Sequence, residues 1–144
     1  MLPAGITVGT ASDRAEVKTL LAACKLPTED IGRDALFMVA RRREQLCGVA
    51  GVEPFGAAGL LRSVAVHPAW RRKGIAFALC DAVMHDARQR GMRRLFLLTT
   101  DADRFFAKLG FTVTERAAVP AELRATAQFR ELCPQSAIAM TRDL

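Results

Sequence analysis

The chain has 144 residues, 51% of them hydrophobic and 25% charged, with 21 Lys and Arg against 15 Asp and Glu for a formal net charge of +6. This is the composition of a globular protein with one domain, residues 1–144, long enough for a sizeable core. It excludes repeat and low-complexity classes, and no uncharged run approaches the ~20 residues of a membrane span. The basic surplus favours an anionic partner; no aromatic stacking platform or nucleic-acid motif accompanies it, so a phosphate-bearing cofactor is expected and nucleic acid and membrane are not.

Met1–Gly5 lacks the basic and apolar regions of a signal peptide, which predicts a cytoplasmic protein. Ile6–Val8 reads as a first strand. Val17, Leu20, Leu21 and Cys24 recur at helical spacing, predicting a helix over Arg14–Cys24 capped by Ser12 or Asp13, with Asp13 and Glu16 resembling a capping box. Pro27–Ile31 suggests a broken helical turn. Leu36–Arg41 and Leu46–Val52 form a hairpin, Pro54–Gly59 a loop, and Leu60–Val66 a third antiparallel strand. A long amphipathic helix opens at Ile75 and stops at Gly91, and Arg94–Thr100 is apolar enough for a central strand. Strand, helix, strand in this order implies a right-handed crossover and a locally parallel pair. A short helix through Phe105, a strand from Thr112, a helix over Pro120–Gln128 and a last strand over Ala137–Thr141 complete the chain. Cys24, Cys47, Cys80 and Cys133 lack metal-ligand spacing and are expected reduced, with no metal bound.

Between the third strand and the long helix lies the basic loop Trp70–Lys73, followed by Gly74. A strand feeding such a loop and then a helix aims free backbone N–H groups at one spot, with the positive end of the helix dipole behind them. Arg71, Arg72, Lys73, Gly74, Ile75 and Ala76 fit Arg/Gln-x-x-Gly-x-Gly/Ala, preceded by Val66, His67 and Pro68. No phosphate loop of nucleotide hydrolases and no triple-glycine dinucleotide fingerprint occurs. The pattern resembles the acetyl-CoA pyrophosphate loop of the GNAT N-acetyltransferases. Phe105–Phe111 resembles a second motif of that family, Phe-Tyr-x-x-x-Gly-Phe, with Ala102 kept and Thr99 in place of the usual Asn. More narrowly, Gly51–Glu53, Leu61–Ser63, Arg116–Pro120, Arg124–Phe129 and Leu132–Ala137 are similar to bacterial arsenic-resistance acetyltransferases of the second ArsN type.

The resemblance implies an α/β (α+β) fold with a mixed, mostly antiparallel sheet, helices on both faces and a splayed central strand pair. It implies acetyl-CoA as cosubstrate, its pantetheine arm beside Val64, Ala65 and Val66 and its pyrophosphate on the backbone of Arg71–Ala76, with Thr99 and Phe106 nearby. The family's usual general acid is a tyrosine; this chain has none, and Phe106 stands at the matching position. Ser63 or water is then the proton donor, and Glu53, at a strand end beside the expected cleft, is the candidate base. Cys133 raises the alternative of an acetyl-cysteine intermediate. Arg62, Arg116 and Arg124, with Gln128 and Cys133, are the candidate acceptor-side residues, because a guanidinium offers a fork for an acidic group. The implied reaction acetylates the amine of a small molecule, an amino acid or an arsenic- or phosphorus-containing analogue. Protein acetylation and a non-catalytic acetyl-CoA or metalloid sensor are the rivals, and a homodimer is left open.

Overall fold

A computed structural model describes residues 2–11, 13–132 and 136–144; Ser12 and Cys133, both named above, lie outside them. Among the described residues seven strands form one sheet: β1 (Ile6–Thr10), β2 (Leu36–Arg42), β3 (Gln45–Phe55), β4 (Ala58–Val66), β5 (Arg94–Thr99), β6 (Thr112–Thr114) and β7 (Ile138–Asp143), in the spatial order β1-β2-β3-β4-β5-β7-β6. All neighbours are antiparallel except β4 and β5. Among the described residues four α-helices flank the sheet: α1 (Arg14–Ala23), α2 (Ile75–Gln89), α3 (Asp103–Lys108) and α4 (Ala121–Arg124).

Side-chain alternation assigns the two faces. Phe37, Val39 and Val49 pack with Val17, Leu20 and Leu21 of α1, whereas Ala40, Ala50 and Val52 pack with Ile75, Leu79 and Val83 of α2 and with Phe106 of α3. Leu60, Phe96 and Ala139 meet Leu123 of α4 and Phe129. α1 and α4 therefore share one face, and α2 and α3 the other.

Two local departures from regularity shape the centre. In β4, Val49 pairs with Ala65 but Gly51 pairs with Arg62, so β4 carries an extra residue around Ser63, whose φ is +57°. The bulge switches the alternation, so that Leu60 and Ala65, an even and an odd position, both face α1 and α4. Next, β4 and β5 pair only at Ala58↔Arg94, Gly59↔Leu95 and Leu60↔Phe96 and then part. At the paired end a Cβ on Gly59 would lie 2.7 Å from Met92 Sδ and 2.8 Å from Leu95 Cδ2, so any larger residue would have to displace these buried side chains.

Several boundaries differ from expectation. The predicted loop 54–59 shrinks to a turn at Gly56 and Ala57, because Gly56 takes φ +67° and lets β3 and β4 run on to it. The predicted helix 120–128 is cut short to α4, with a 3-10 turn at Arg116–Ala118 before it and a π turn at Gln128–Leu132 after it. Thr126 terminates α4 by donating its hydroxyl to Leu123 O at 2.6 Å. No helical turn forms at Pro27–Ile31; that connection is held by side chains instead, as described below. Among the described residues no helix is long and apolar enough to cross a membrane, and no group of ligating side chains could hold a metal ion.

Candidate active site

The loop before α2 is shaped by two left-handed residues, Arg72 at φ +62° and Gly74 at φ +79°. Gly74 is the N-cap of α2, and no side chain caps that end. The first-turn N–H groups of a 15-residue helix thus face outward beside exposed Arg71, Arg72 and Lys73. Arg71 is anchored by its Nε, which donates to Val66 O at 3.0 Å. A hollow of about 360 Å³ opens here, lined by Val66, Trp70, Gly74, Ala76 and half-exposed Phe77 among others.

Ala76 and Phe105 also line a second hollow, of about 500 Å³, so the two join. This second hollow is the gap where β4 and β5 part. Arg62, Ser63 and Val64 form one wall and Leu98, Thr99 and Thr100 the other. Ala76 and Phe106 reach it from the α2 and α3 face, Lys25, Leu26, Pro27 and Gln128 from the α1 and α4 face. The cleft passes through the sheet. Its β4 wall carries backbone that β3 does not use: His67 N donates to Cys47 O at 2.7 Å, which in an antiparallel ladder turns the N–H and C=O of Val66 and Val64 away from β3, toward the adjoining hollow and the gap; of these the Val66 carbonyl is taken by Arg71 Nε.

Under the cleft lies a charged network. Arg62, its side chain 1% exposed, donates from Nη1 and Nη2 to the Asp30 carboxylate at 2.6 and 2.7 Å and from Nη1 to Glu53 Oε1 at 2.7 Å. Its Nε donates to Ser63 Oγ at 3.0 Å, leaving the serine proton free to be donated elsewhere. Burial pushes the Asp30 carboxyl up, but the hydrogen bonds and charge of Arg62, helped by a backbone N–H and Gln128, outweigh it and hold it below the usual value. The same two carboxylates raise Arg62 against the opposing effect of its burial. Asp30 thereby pins the irregular connection between α1 and β2 to the sheet. Arg14 assists by donating to Gly32 O, Arg33 O and Ala35 O at 2.7–3.0 Å.

The residues expected from sequence fall in three places. Ser63, Val64, Ala76, Thr99, Phe106, Arg62 and Gln128 all line the gap, while Val66, Arg71, Arg72, Gly74 and Ile75 line the adjoining hollow. Thr99 is committed locally, its Oγ1 accepting from Ala102 N at 3.0 Å, and Phe106 stacks edge-on against Phe105 and Phe111. Glu53 sits behind Arg62 and is not among the lining residues; its Oε2 lies against Gly32. Arg116 donates to Ala137 O and Arg124 to Val119 O, at 3.1 and 2.9 Å, and neither lines the gap. Cys80 is buried, which pushes its thiol up to about 12 and leaves it protonated. Three charged residues that line or support the cleft were not anticipated: Lys25, Asp30 and Asp101. Only Lys25 left a trace in the sequence, as a lysine directly after a helix where glycine is common.

Residues 33–113, more than half of the chain, match the family model described as Acetyltransferase (GNAT) domain. The chain belongs to this family. Among curated proteins the GNAT domain is 40% identical over 75 residues to the amino-acid acetyltransferase of Mycobacterium tuberculosis, covering 52% of this chain and 40% of that protein. It is 35% identical over 91 residues to that of Serratia proteamaculans, covering 62% of this chain and 21% of that protein. The chain thus spans well under half the length of these relatives. Among solved structures, N-acetylglutamate synthase from Neisseria gonorrhoeae, complexed with coenzyme A and N-acetyl-glutamate, superposes with a TM-score of 0.81 at 20% identity, over 99% of this chain and 36% of that one. A Mycobacterium tuberculosis protein solved in complex with CoA superposes with a TM-score of 0.74 at 26% identity, over 96% of this chain and 99% of that one. The fold is that of the GNAT family: a mixed, mostly antiparallel sheet between helices, splayed at β4 and β5.

Proposed function

We propose that this GNAT domain transfers acetyl from acetyl-CoA to the amine of a small amino acid or amino-acid analogue. The observation that carries the reading is the cleft through the sheet, with an uncapped helix N-terminus and basic loop at one end and polar side chains at the other. Relatives named amino-acid acetyltransferase, and structural neighbours holding coenzyme A, support it. The narrower sequence resemblance favours an arsenic- or phosphorus-containing analogue within that class.

In this reading the pyrophosphate lies on the N–H groups opening α2, with Arg72 and Lys73 adding charge. The pantetheine arm runs as an extra strand along Val64 and Val66, which places the thioester at the bulge. There the extra residue frees backbone N–H from the ladder to receive the oxyanion that forms when the amine attacks. The departing thiolate takes a proton from Ser63 or from water, since Phe106 has no hydroxyl to give. Asp101 is the carboxylate that lines the gap, whereas Glu53 reaches it only through Arg62. We therefore assign the ammonium proton to Asp101 or to water beside it, and keep Glu53 as the alternative.

Coenzyme A release, measured over a panel of amines, tests the reading: at least one small amino acid should be turned over. Asp101→Asn should depress kcat at neutral pH by about 10²-fold, the scale of one general base, while Glu53→Gln should act mainly on stability. The reverse pattern would move the base to Glu53, and no turnover of any amine would favour the sensor alternative.

A further inference from the structure

Lys25 stands where local backbone chemistry favours glycine. The chain leaves α1 through a Schellman turn: Lys25 N donates to Ala22 O at 3.0 Å and Leu26 N to Leu21 O at 2.9 Å. The residue at the turn is left-handed, and Lys25 has φ +61°. A side chain there is strained, and glycine relieves it without loss of any helix bond. A residue that violates a local preference invites the question of what its side chain does.

The lysine lines the wall of the through-sheet gap on the α1 and α4 face, next to Leu26 and Pro27. The other cation lining that gap, Arg62, has its guanidinium engaged by Asp30 and Glu53, so the network under the gap carries two negative charges against one positive. Arg116 and Arg124 lie outside the lining and bond backbone carbonyls. Among the described residues, no hydrogen bond or ion pair engages the Lys25 ammonium. Asp101 lines the same gap from the end of β5. The cleft therefore offers one uncommitted cation and, from another element, one carboxylate.

We propose that Lys25 is a specificity-determining residue that binds the anionic group, a carboxylate or comparable oxyanion, of the amine acceptor. The inference rests on the acetyltransferase reading above and names its substrate class: acidic amines rather than polyamines or uncharged amines. Lys25 contributes charge to binding and takes no part in the chemical step, so its loss raises KM and leaves kcat in place. Asp30 acts at one remove, holding through Arg62 the connection that begins at Lys25.

The experiment compares steady-state acetylation of α-amino acids, each beside its own carboxamide, by the parent, Lys25→Gly, Lys25→Asn and Lys25→Arg. Glycine and asparagine both tolerate the left-handed turn, so both variants should melt at or above the parental temperature. The expected result is a KM raised about tenfold for the acids, the scale of one charge-assisted contact. KM for the carboxamides and for acetyl-CoA should stay within about twofold, and Lys25→Arg should restore most of the loss. Equal effects on acid and amide, or no effect on either, would overturn the proposal while leaving the acetyltransferase reading standing. If the parent acetylates no amine, the reading falls and the proposal with it. If polyamines are the best substrates, only the proposal falls.

Discussion

Arg62 and Asp30 are a pair whose members lie 32 residues apart in sequence and are both removed from water. Taking either charge away leaves the other buried without its partner, a loss on the order of 3 kcal/mol. Asp30→Asn should therefore destabilise the fold by about that amount at pH 7, less whatever Glu53 recovers for Arg62. The pH dependence has a definite sign. The Asp30 carboxyl is held below its ordinary value in the folded state, so it contributes stability that is complete above the unfolded value of about 3.9 and is lost as pH falls through the folded value. Urea unfolding between pH 7 and pH 2 should show parent and Asp30→Asn far apart at neutrality and converging in acid. Parallel curves across that range would mean that the network adds nothing through charge.

At the scale of elements, the loop and α2 act as one device. Gly74 lets the chain enter α2 at φ +79°, and Ile75, Leu79, Cys80, Val83, Met84 and Ala87 then bury one face of the helix so that its N-terminus is held still. Gly74→Glu would put an anion at the positive end of the helix and a Cβ in left-handed backbone, a penalty of roughly 1–2 kcal/mol. Coenzyme A binding by calorimetry should drop below detection while the variant still melts cooperatively. Retention of parental affinity would remove the loop from the cofactor site. Gly74→Ala, with the same backbone penalty and no charge, separates strain from repulsion and should bind weakly rather than not at all.

For the whole molecule the decisive feature is that the last strand is not at the edge. β7 lies between β5 and β6, pairing along Arg94↔Asp143 to Thr99↔Ile138 on one side and Thr112↔Thr141 to Thr114↔Ala139 on the other. Removing residues 137–144 would strip β5 of its partner on the side away from β4 and leave β6 unpaired, besides exposing Phe96 and Leu123. The truncated chain should fail to give a cooperative thermal transition and should aggregate through the bare edge. The full chain should unfold in a single transition by both circular dichroism and fluorescence, as one domain does. A soluble truncated chain with a parental melting curve would show that the C-terminal strand is dispensable.

What could be read directly from the residues is local. The periodicity of α1 and α2, the crossover between β4 and β5, and the glycine loop with its basic flank all rest on contacts within one or two elements, and both ends of each signal lie close in sequence. The same holds for Phe106, whose missing hydroxyl is a property of composition. Tertiary structure decided the rest. Glu53 reads as a free carboxylate at a strand end, yet Arg62 and Asp30 meet it from other segments and move it behind the cleft wall. Arg116 and Arg124 read as oxyanion forks, yet they bond the backbone carbonyls of Ala137 and Val119 and do not line the cleft. Lys25 and Asp101 become neighbours of one cavity only because β4 and β5 part after three paired residues. That parting, and the bulge that reverses the alternation at Ser63, depend on packing between strands whose registers no short window of sequence contains.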